Sequence, residues 1–205
     1  MFKKVTNDAI LPTRGSKYSA CVDVYANENI TIGAGETKLV GLGIAIDLDS
    51  LLENVPMVKD MKRWHKKRFK AGIIDVSEED SLIHIKDKFL KSHYLQLMIR
   101  SSLSAKGLML ANGVGVIDLD FVDEIKMNIH NPISWSCNAT DGTYEDNPAL
   151  EHIHSGADNK VEYVIKKGDR IGQLILLEHK SSLFGIESED ERNGGFGSTD
   201  KKENK

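Results

Sequence analysis

Apolar and polar residues alternate with a period of two along several stretches of this chain. In residues 39–46 the even positions carry Val40, Leu42, Ile44 and Ile46, and smaller or less regular residues fill the odd ones. Alternation of this kind predicts β-strands. Further strands are predicted at 21–26, 93–99, 125–130, 161–165 and 171–177, with turn residues between them at 33–35, 112–113 and 167–169. Many short strands joined by polar turns predict an all-β fold, a β-barrel or a jelly-roll-like sandwich.

The segment from Leu51 to Leu90 interrupts this pattern. Ser77 is followed by three acidic residues, which is typical of a capped helix start. Before Ser77, four residues lie three or four positions apart, which is the spacing of one helix face: Met57, Met61, Trp64 and Arg68. The segment therefore predicts two short helices inserted into a β-hairpin.

Two further segments lack strand periodicity. Residues 133–160 contain turn signals such as Asp141-Gly142 and Asn147-Pro148, which predict a long loop or a small excursion. After Leu183 the chain is polar and glycine-rich, so it contributes little core and is expected to be a flexible lid or tail. The predicted organisation is a β-barrel domain over 1–185, with inserts at about 50–91 and 133–160, and a tail over 186–205.

Composition places the chain among ordinary soluble proteins. It has 205 residues, is 40% hydrophobic and carries a formal net charge of -4, so charge alone names no partner. No apolar run reaches about 18 residues, which predicts a soluble, cytoplasmic protein with no membrane contact. The two cysteines, Cys21 and Cys137, lack metal-site spacing and are interpreted as packing residues.

One stretch of the sequence predicts a functional site. Residues 113–121 read GVGVIDLDF and lead directly into the alternating run 123–130. Val114, Val116 and Ile117 are expected to be buried on both sides of a tight hairpin, while Asp118 stays polar. A rigid β-scaffold that presents a carboxylate in this way is typical of a functional site.

This stretch and four others resemble the ordered motifs of the trimeric dUTP pyrophosphatases (dUTPases). The five stretches are 20–26 (ACVDVYA), 100–107 (RSSLSAKG), 113–121, 168–174 (GDRIGQL) and 192–199 (RNGGFGST). The resemblance implies the dUTPase-like β-barrel or jelly roll, also called a β-clip. It also implies hydrolysis of dUTP to dUMP and pyrophosphate with Mg²⁺, in a homotrimer whose sites lie between subunits.

The resemblance assigns the reacting groups. Asp118 matches the catalytic aspartate, which implies that it orients and partly deprotonates the water that attacks the α-phosphorus. Asp23 matches an aspartate that acts on the divalent cation through water, and Mg²⁺ suits such an arrangement because it dehydrates reluctantly.

The resemblance also assigns the substrate-binding residues. Backbone groups of the predicted hairpin bind the base, and Phe121 stands where a tyrosine usually packs under the deoxyribose. The positions that match the base-binding residues are Asn112, Val116, Ile117 and Lys126. Phosphate binding is assigned to Arg100, Ser101, Ser102 and Gln173, and lid contacts to Arg192, Phe196, Gly197, Ser198 and Thr199.

Besides Phe121, the chain departs from the family pattern at four places. Ser102 and Asp123 replace usual glycines, and Asp200 replaces the last glycine of the tail motif. Only Asn193 separates Arg192 from the glycine pair, where two residues are usual. The shorter spacing leaves open which phosphate oxygen Arg192 reaches.

Two alternative functions stay open at this point. A dCTP deaminase has the same fold, but its glutamate proton shuttle corresponds to Asn128 here, and an amide cannot carry out acid-base catalysis at neutral pH. The second alternative is a nucleotide-switched regulatory protein that acts through its inserts. In the first insert, lysines and arginines are interleaved with aromatic residues over 59–70, which is compatible either with a protein or nucleic-acid partner or with a solvated helix face.

Overall fold

The computed structural model describes residues 1–72, 77–132 and 162–186. In chain order its first elements are β1 (Phe2–Lys4), β2 (Thr13–Arg14), β3 (Val22–Tyr25), β4 (Ile30–Ile32), β5 (Thr37–Gly41), β6 (Ile44–Ile46), α1 (Leu48–Leu52), α2 (Pro56–Lys70) and α3 (Glu78–Leu90). They are followed by β7 (His93–Ile99), α4 (Ser101–Ser104), β8 (Met109–Leu110), β9 (Gly115–Asp118), β10 (Lys126–His130), β11 (Tyr163–Ile165), β12 (Arg170–Glu178) and a 3₁₀ turn (Ser181–Phe184).

The strands form antiparallel sheets. The largest has five strands in the order β2-β3-β12-β7-β9, and a three-stranded sheet has the order β5-β10-β8. Two further pairs, β1-β6 and β11-β4, complete the strands of the described residues. The prediction of an all-β fold made of many short strands is confirmed.

The two larger sheets pack face to face. Gly172 of β12 lies so close to β10 that an added Cβ would be 2.5 Å from the Met127 sulfur. Met127 and Ile129 are fully buried, and in the opposite sheet so are Leu95 and Leu174. The alternation predicted for 125–130 is confirmed, because Lys126, Asn128 and His130 of β10 stay partly exposed between these buried residues.

The strand predicted over 39–46 is divided into β5 and β6. Gly43 adopts a φ of 65°, which ends one strand and redirects the chain into the next. All residues from Val40 to Ile46 are buried, so the alternation in the sequence does not separate an inner from an outer face. The predicted strand structure of this run is therefore observed as two strands that meet at Gly43.

The two helices predicted between Leu51 and Leu90 are observed as α2 and α3. Ser77 caps α3, because its Oγ accepts a hydrogen bond from the Asp80 amide at 2.9 Å. The insertion point differs from the prediction of a β-hairpin. The insert connects β6, which pairs with β1, to β7, which pairs with β12 and β9, so its flanking strands belong to different sheets.

No helix in the three described ranges is long and apolar enough to cross a membrane. The predicted loop at 133–160 and residues 187–205 of the predicted tail lie outside the described residues, as does Cys137.

Replacement of Gly43 by alanine tests the strand break. A Cβ there would be 2.6 Å from the Asn27 side chain and would require a positive φ, so we expect Gly43→Ala to lower the free energy of unfolding by about 3 kcal/mol. Urea denaturation measures the change. Gly72→Ala is the matched control, because Gly72 has a φ of 72° with nothing within 4 Å of an added Cβ, and should cost about 1 kcal/mol. Equal losses for the two variants would contradict the packing argument.

Candidate active site

Asp118 ends strand β9, which lies at the edge of the five-stranded sheet. β9 pairs only with β7 among the described strands, with Asp118 opposite Tyr94 and Gly115 opposite Leu97. Its second edge has no paired strand among the described residues. The Asp118 side chain is exposed, as a group that acts on a bound substrate must be.

The predicted tight hairpin around Asp118 is not observed. β9 pairs with β7, while the following strand β10 pairs with β5 and β8, so residues 119–125 cross from one sheet to the other. The expected burial of the valines is also wrong, since Val116 is 66% exposed and Val114 is exposed as well. The reason is that only one face of β9 packs on the core, and Val116 shares the outer face with Asp118.

A pocket of about 250 Å³ opens between β9 and β10. Its apolar floor includes the buried residues Phe121, Ile125 and Leu110. Its full lining is Leu97, Leu110, Asn112, Gly115, Val116, Ile117, Phe121, Ile125, Lys126 and Asn128. A small apolar cavity with a few polar groups at its rim is suited to a planar heterocycle.

Every described residue that the sequence assigned to the base and sugar lies in this pocket. These residues are Asn112, Val116, Ile117, Phe121 and Lys126.

The sequence did not predict the other lining residues as part of the site. Gly115 is needed because an added Cβ would be 3.0 Å from the Leu97 Cβ. Its repetition in GVGVID is a sequence signal that could have indicated a close approach of two backbones. Leu97, Leu110 and Ile125 follow the general strand pattern and carry no signal of their own.

Glu124 fixes the rim of the pocket beside Lys126. Its Oε1 accepts a hydrogen bond from the Gly43 amide at 2.7 Å, and its Oε2 lies 3.7 Å from the Lys126 Nζ. The strand break at Gly43 thus supplies a donor that holds the carboxylate, and the carboxylate in turn positions the lysine next to the pocket.

A second polar cluster surrounds Asp23 on β3. The residue is only 4% exposed, and its Oδ1 lies 3.3 Å from the Arg100 Nε and accepts a hydrogen bond from the Gln173 amide at 3.1 Å. Its Oδ2 lies 3.5 Å from an Arg170 nitrogen. Burial of a carboxylate is costly unless cations and donors satisfy it, and this one has both.

This cluster brings together three of the predicted phosphate and metal residues, Asp23, Arg100 and Gln173. Arg100 precedes α4, and Ser101 and Ser102 occupy the first two positions of α4 with exposed side chains. The arrangement offers a guanidinium, an amide and hydroxyl groups within one short region, which suits phosphate oxygens. The sequence did not predict Arg170 as a member of the cluster.

Asp118 and the Asp23 cluster lie on the same face of the five-stranded sheet. Residues directly opposite each other on paired strands point to the same face of a sheet. On β7, Tyr94 is opposite Asp118 and Met98 is opposite Gln173. Because Tyr94 and Met98 are four residues apart, an even number, both pairs point to the same face. Four residues along β7 and two strand spacings put the Asp118 and Gln173 backbones roughly 16 Å apart. Within one chain, the predicted catalytic and phosphate-binding residues are therefore separated.

The predicted lid residues Arg192, Phe196, Gly197, Ser198 and Thr199 lie outside the described residues.

Comparison with known proteins finds near full-length relatives that share one name. The chain is 28% identical over 196 residues to a deoxyuridine 5'-triphosphate nucleotidohydrolase of Rickettsia bellii, covering 92% of this chain and 86% of the relative. It is 26% identical to the enzyme of the same name from Nautilia profundicola, covering 97% and 96% of the two chains. The same name belongs to a Saccharomyces cerevisiae protein that is 26% identical and matches 93% of this chain and 87% of its own. These near full-length similarities support the dUTPase family for this chain.

Solved structures agree with the dUTPase fold. The dUTPase from phage phi11 of S. aureus superimposes with a TM-score of 0.53 at 16% identity, covering 97% of both chains. The dUTPase of Staphylococcus bacteriophage 80alpha gives a TM-score of 0.52 at 18% identity, covering 96% of both chains. The predicted dUTPase-like jelly roll is confirmed, although no family model matches the sequence.

Replacement of Asp23 by asparagine tests the buried cluster. The variant would leave the Arg100 and Arg170 guanidinium groups without their carboxylate, so we expect a loss of about 2 kcal/mol in the free energy of unfolding. Chemical denaturation of the wild type and the variant measures it. Asp87→Asn is the matched control, because Asp87 forms an exposed ion pair with Lys91 at 3.0 Å and its loss should cost less than about 0.5 kcal/mol. A small effect of Asp23→Asn would show that the cluster contributes little to stability.

Proposed function

We propose that this chain hydrolyses dUTP to dUMP and pyrophosphate by attack of water on the α-phosphate. The observation that carries the proposal is the pocket between β9 and β10, whose lining includes all five described residues assigned to the base and sugar. Asp118 follows directly on Ile117 of the same strand. The names of the near full-length relatives support the same reaction.

The pocket can select a deoxyuridine by its size and by its strand edge. Backbone N–H and C=O groups on the edge of β9 that pairs with no described strand offer fixed donors and acceptors to the pairing edge of a base. Phe121 is 7% exposed, and its rigid ring limits the space under the sugar, where a 2′-hydroxyl would have to fit. Asn112, Lys126 and Asn128 supply the polar groups of the lining.

Asp118 acts as the general base. Its carboxylate accepts a proton from a water molecule while that water's oxygen forms a bond to the α-phosphorus, and the bond from this phosphorus to the bridging oxygen of the leaving pyrophosphate breaks. The short strand and its pairing with β7 fix the Asp118 backbone, so only the side-chain torsions of Asp118 have to be ordered at each turnover.

The phosphate chain is bound by Arg100, Ser101, Ser102 and Gln173. Arg100 and Gln173 are preorganised by Asp23, which holds the Arg100 Nε at 3.3 Å and accepts a hydrogen bond from the Gln173 amide. The tail residues Arg192, Phe196, Gly197, Ser198 and Thr199 are proposed to close over the base and the distal phosphates.

The described residues fit a Mg²⁺ ion that is carried mainly by the triphosphate and water. No group of three His, Cys, Asp or Glu side chains in the described ranges could hold a metal ion, and Asp23 already contacts two arginines. Mg²⁺ commonly keeps several waters and binds substrate phosphates with one or two carboxylates, so Asp23 would act through water. When bound, the ion supplies charge neutralisation on the phosphate oxygens. A structural Mg(II) ion is described for a mutant of the dUTPase from phage phi11 of S. aureus.

The complete site is proposed to form between subunits of a homotrimer. A separation of roughly 16 Å between the Asp118 and Gln173 backbones is too long for both side chains to act on one α-phosphate. A second copy that brings its Asp23 cluster to the pocket of the first would remove this separation. The shared outer face of the sheet, with Val116 and Met98 among its residues, is the surface on which such a copy would pack.

Deaminase chemistry is disfavoured by Asn128, which lines the pocket where a proton shuttle would be needed. The cytoplasm, where free nucleotides are found, is the proposed location.

Substitution of Asp118 tests the catalytic assignment. We expect Asp118→Asn to lower kcat for dUTP by about a hundredfold to ten-thousandfold, because an amide cannot accept the proton of the attacking water. Pyrophosphate release measured with dUTP, dTTP, dCTP and UTP gives both the rate and the selectivity. Asp123→Asn is the control, since it removes the same charge from an exposed residue close by. Activity of Asp118→Asn near the wild-type rate would exclude Asp118 as the base.

Mixing two inactive variants tests the composite site. Asp118→Asn and Arg100→Gln should each be inactive alone, and a refolded one-to-one mixture should regain roughly a quarter of the wild-type activity if each site takes these residues from different subunits. Ser101→Ala replaces Arg100→Gln if the latter does not fold. A mixture as inactive as its parents would show that both residues act from the same chain, without affecting the assignment of Asp118.

A further inference from the structure

Helix α2 concentrates positive charge. Its fifteen residues contain seven lysines and arginines and a single acidic residue, Asp60, for a formal charge of +6. The whole chain carries -4, so the rest of the protein is strongly acidic by comparison. Charge segregation of this degree indicates an anionic partner for the basic part.

The basic residues cover the face of α2 that points away from the protein. Val58 is buried, Met61 and His65 are partly buried, and the His65 Nε2 lies 3.0 Å from the Ser81 hydroxyl of α3. At about 100° per residue, all the basic residues of α2 except Arg68 fall within an arc of about 140° on the side away from this buried face. This basic face consists of Lys59, Lys62, Arg63, Lys66, Lys67 and Lys70.

The charge of the basic face is not neutralised by ion pairs. Arg63 pairs with Asp60 at 3.2 Å, and no carboxylate of the described residues lies within 4.0 Å of the five lysine amines. The nearby acidic residues Glu78, Glu79 and Asp80 occupy the first turn of α3, where they complement the helix dipole. Arg68 has a different role, since its guanidinium stacks 4.6 Å from the Trp64 ring centroid.

We propose that the basic face of α2 binds single-stranded nucleic acid. From Lys59 to Lys70 it extends about 17 Å, so its cations can contact several successive phosphates of one strand. Phe69 borders the basic face on the side of Lys62 and is 74% exposed, which makes its ring accessible for stacking with an unpaired base.

An anionic membrane suits this surface less well than a nucleic acid. Membrane-surface helices insert an apolar face, whereas the buried side of α2 already packs on the protein through Val58 and on α3 through His65. The basic face is also separate from the pocket, because no residue of α2 belongs to the pocket lining.

Binding of a fluorescein-labelled 20-nucleotide DNA strand without uracil tests the proposal. Fluorescence anisotropy of the full chain should show binding that weakens steeply with salt. Replacement of Lys62, Lys66 and Lys70 by glutamine should weaken binding at least tenfold and reduce the slope of log K against log salt by about 2. dUTP hydrolysis by this variant should be unchanged.

A second triple variant controls for total charge. Lys3, Lys88 and Lys180 are exposed lysines outside α2, and their replacement by glutamine changes the net charge equally. This variant should bind the strand as the wild type does. Equal weakening by both triple variants would mean that binding follows total charge and would overturn the proposal.

The preference for single strands depends on Phe69. Phe69→Ala should weaken binding of the single strand about tenfold and leave binding of a hairpin duplex unchanged. Ile83→Ala, which truncates an exposed apolar residue of α3, should change neither.

Three results would contradict the proposal. The first is that the protein does not bind the strand at low salt. The second is that dUTP displaces the strand, which would place the strand's binding site in the pocket. The third is that the protein sediments with phosphatidylserine vesicles but does not bind the strand. This result would assign the basic face to membranes.

Discussion

The buried carboxylate of Asp23 is the interaction on which the proposed phosphate chemistry depends. It lies on β3, contacts Arg100 at the end of β7, and contacts Arg170 and Gln173 on β12, so one side chain joins three adjacent strands. An isolated carboxylate at this depth would be unstable, and its two guanidinium partners would repel each other without it. Because Arg100 and Gln173 are also the groups proposed to bind phosphate, the same contacts that stabilise the sheet preorganise the site.

The pocket has a different structural basis, the gap between two sheets. Within the described ranges β9 pairs on one side, with β7, and the chain leaves it to join the three-stranded sheet as β10. Gly115 lets β9 pack closely on Leu97, while Glu124, held by the Gly43 amide, positions Lys126 at the rim. The strand break at Gly43 thus contributes to the site as well as to the core.

Sequence patterns predicted individual strands and helix starts better than they predicted which strands pair. The strand over 93–99 and the Ser77 cap were predicted as observed, because alternation and capping depend on neighbouring residues. The break at Gly43 could not be predicted, since apolar residues continue on both sides of it. The exposure of Val116 and the role of Arg170 depend on which strands pair, and β-pairing joins residues far apart in the sequence, such as Asp23 and Gln173. The residues that line the pocket were assigned from the resemblance to the dUTPases, which matches positions by residue identity and order and so does not depend on predicting strand pairing.

The positions of the charges explain why hydrolysis and a second binding surface could coexist in one chain. Asp118 and the Asp23 cluster share one face of the five-stranded sheet, whereas the basic face belongs to an insert between β6 and β7. Among the described elements, α3 contacts β7, the strand that lies between the two functional clusters. One route by which a ligand on α2 would influence catalysis therefore runs through α3 and β7. Since β7 is a central strand fixed by β12 and β9, such an influence would have to be small unless the ligand also contacts a neighbouring subunit.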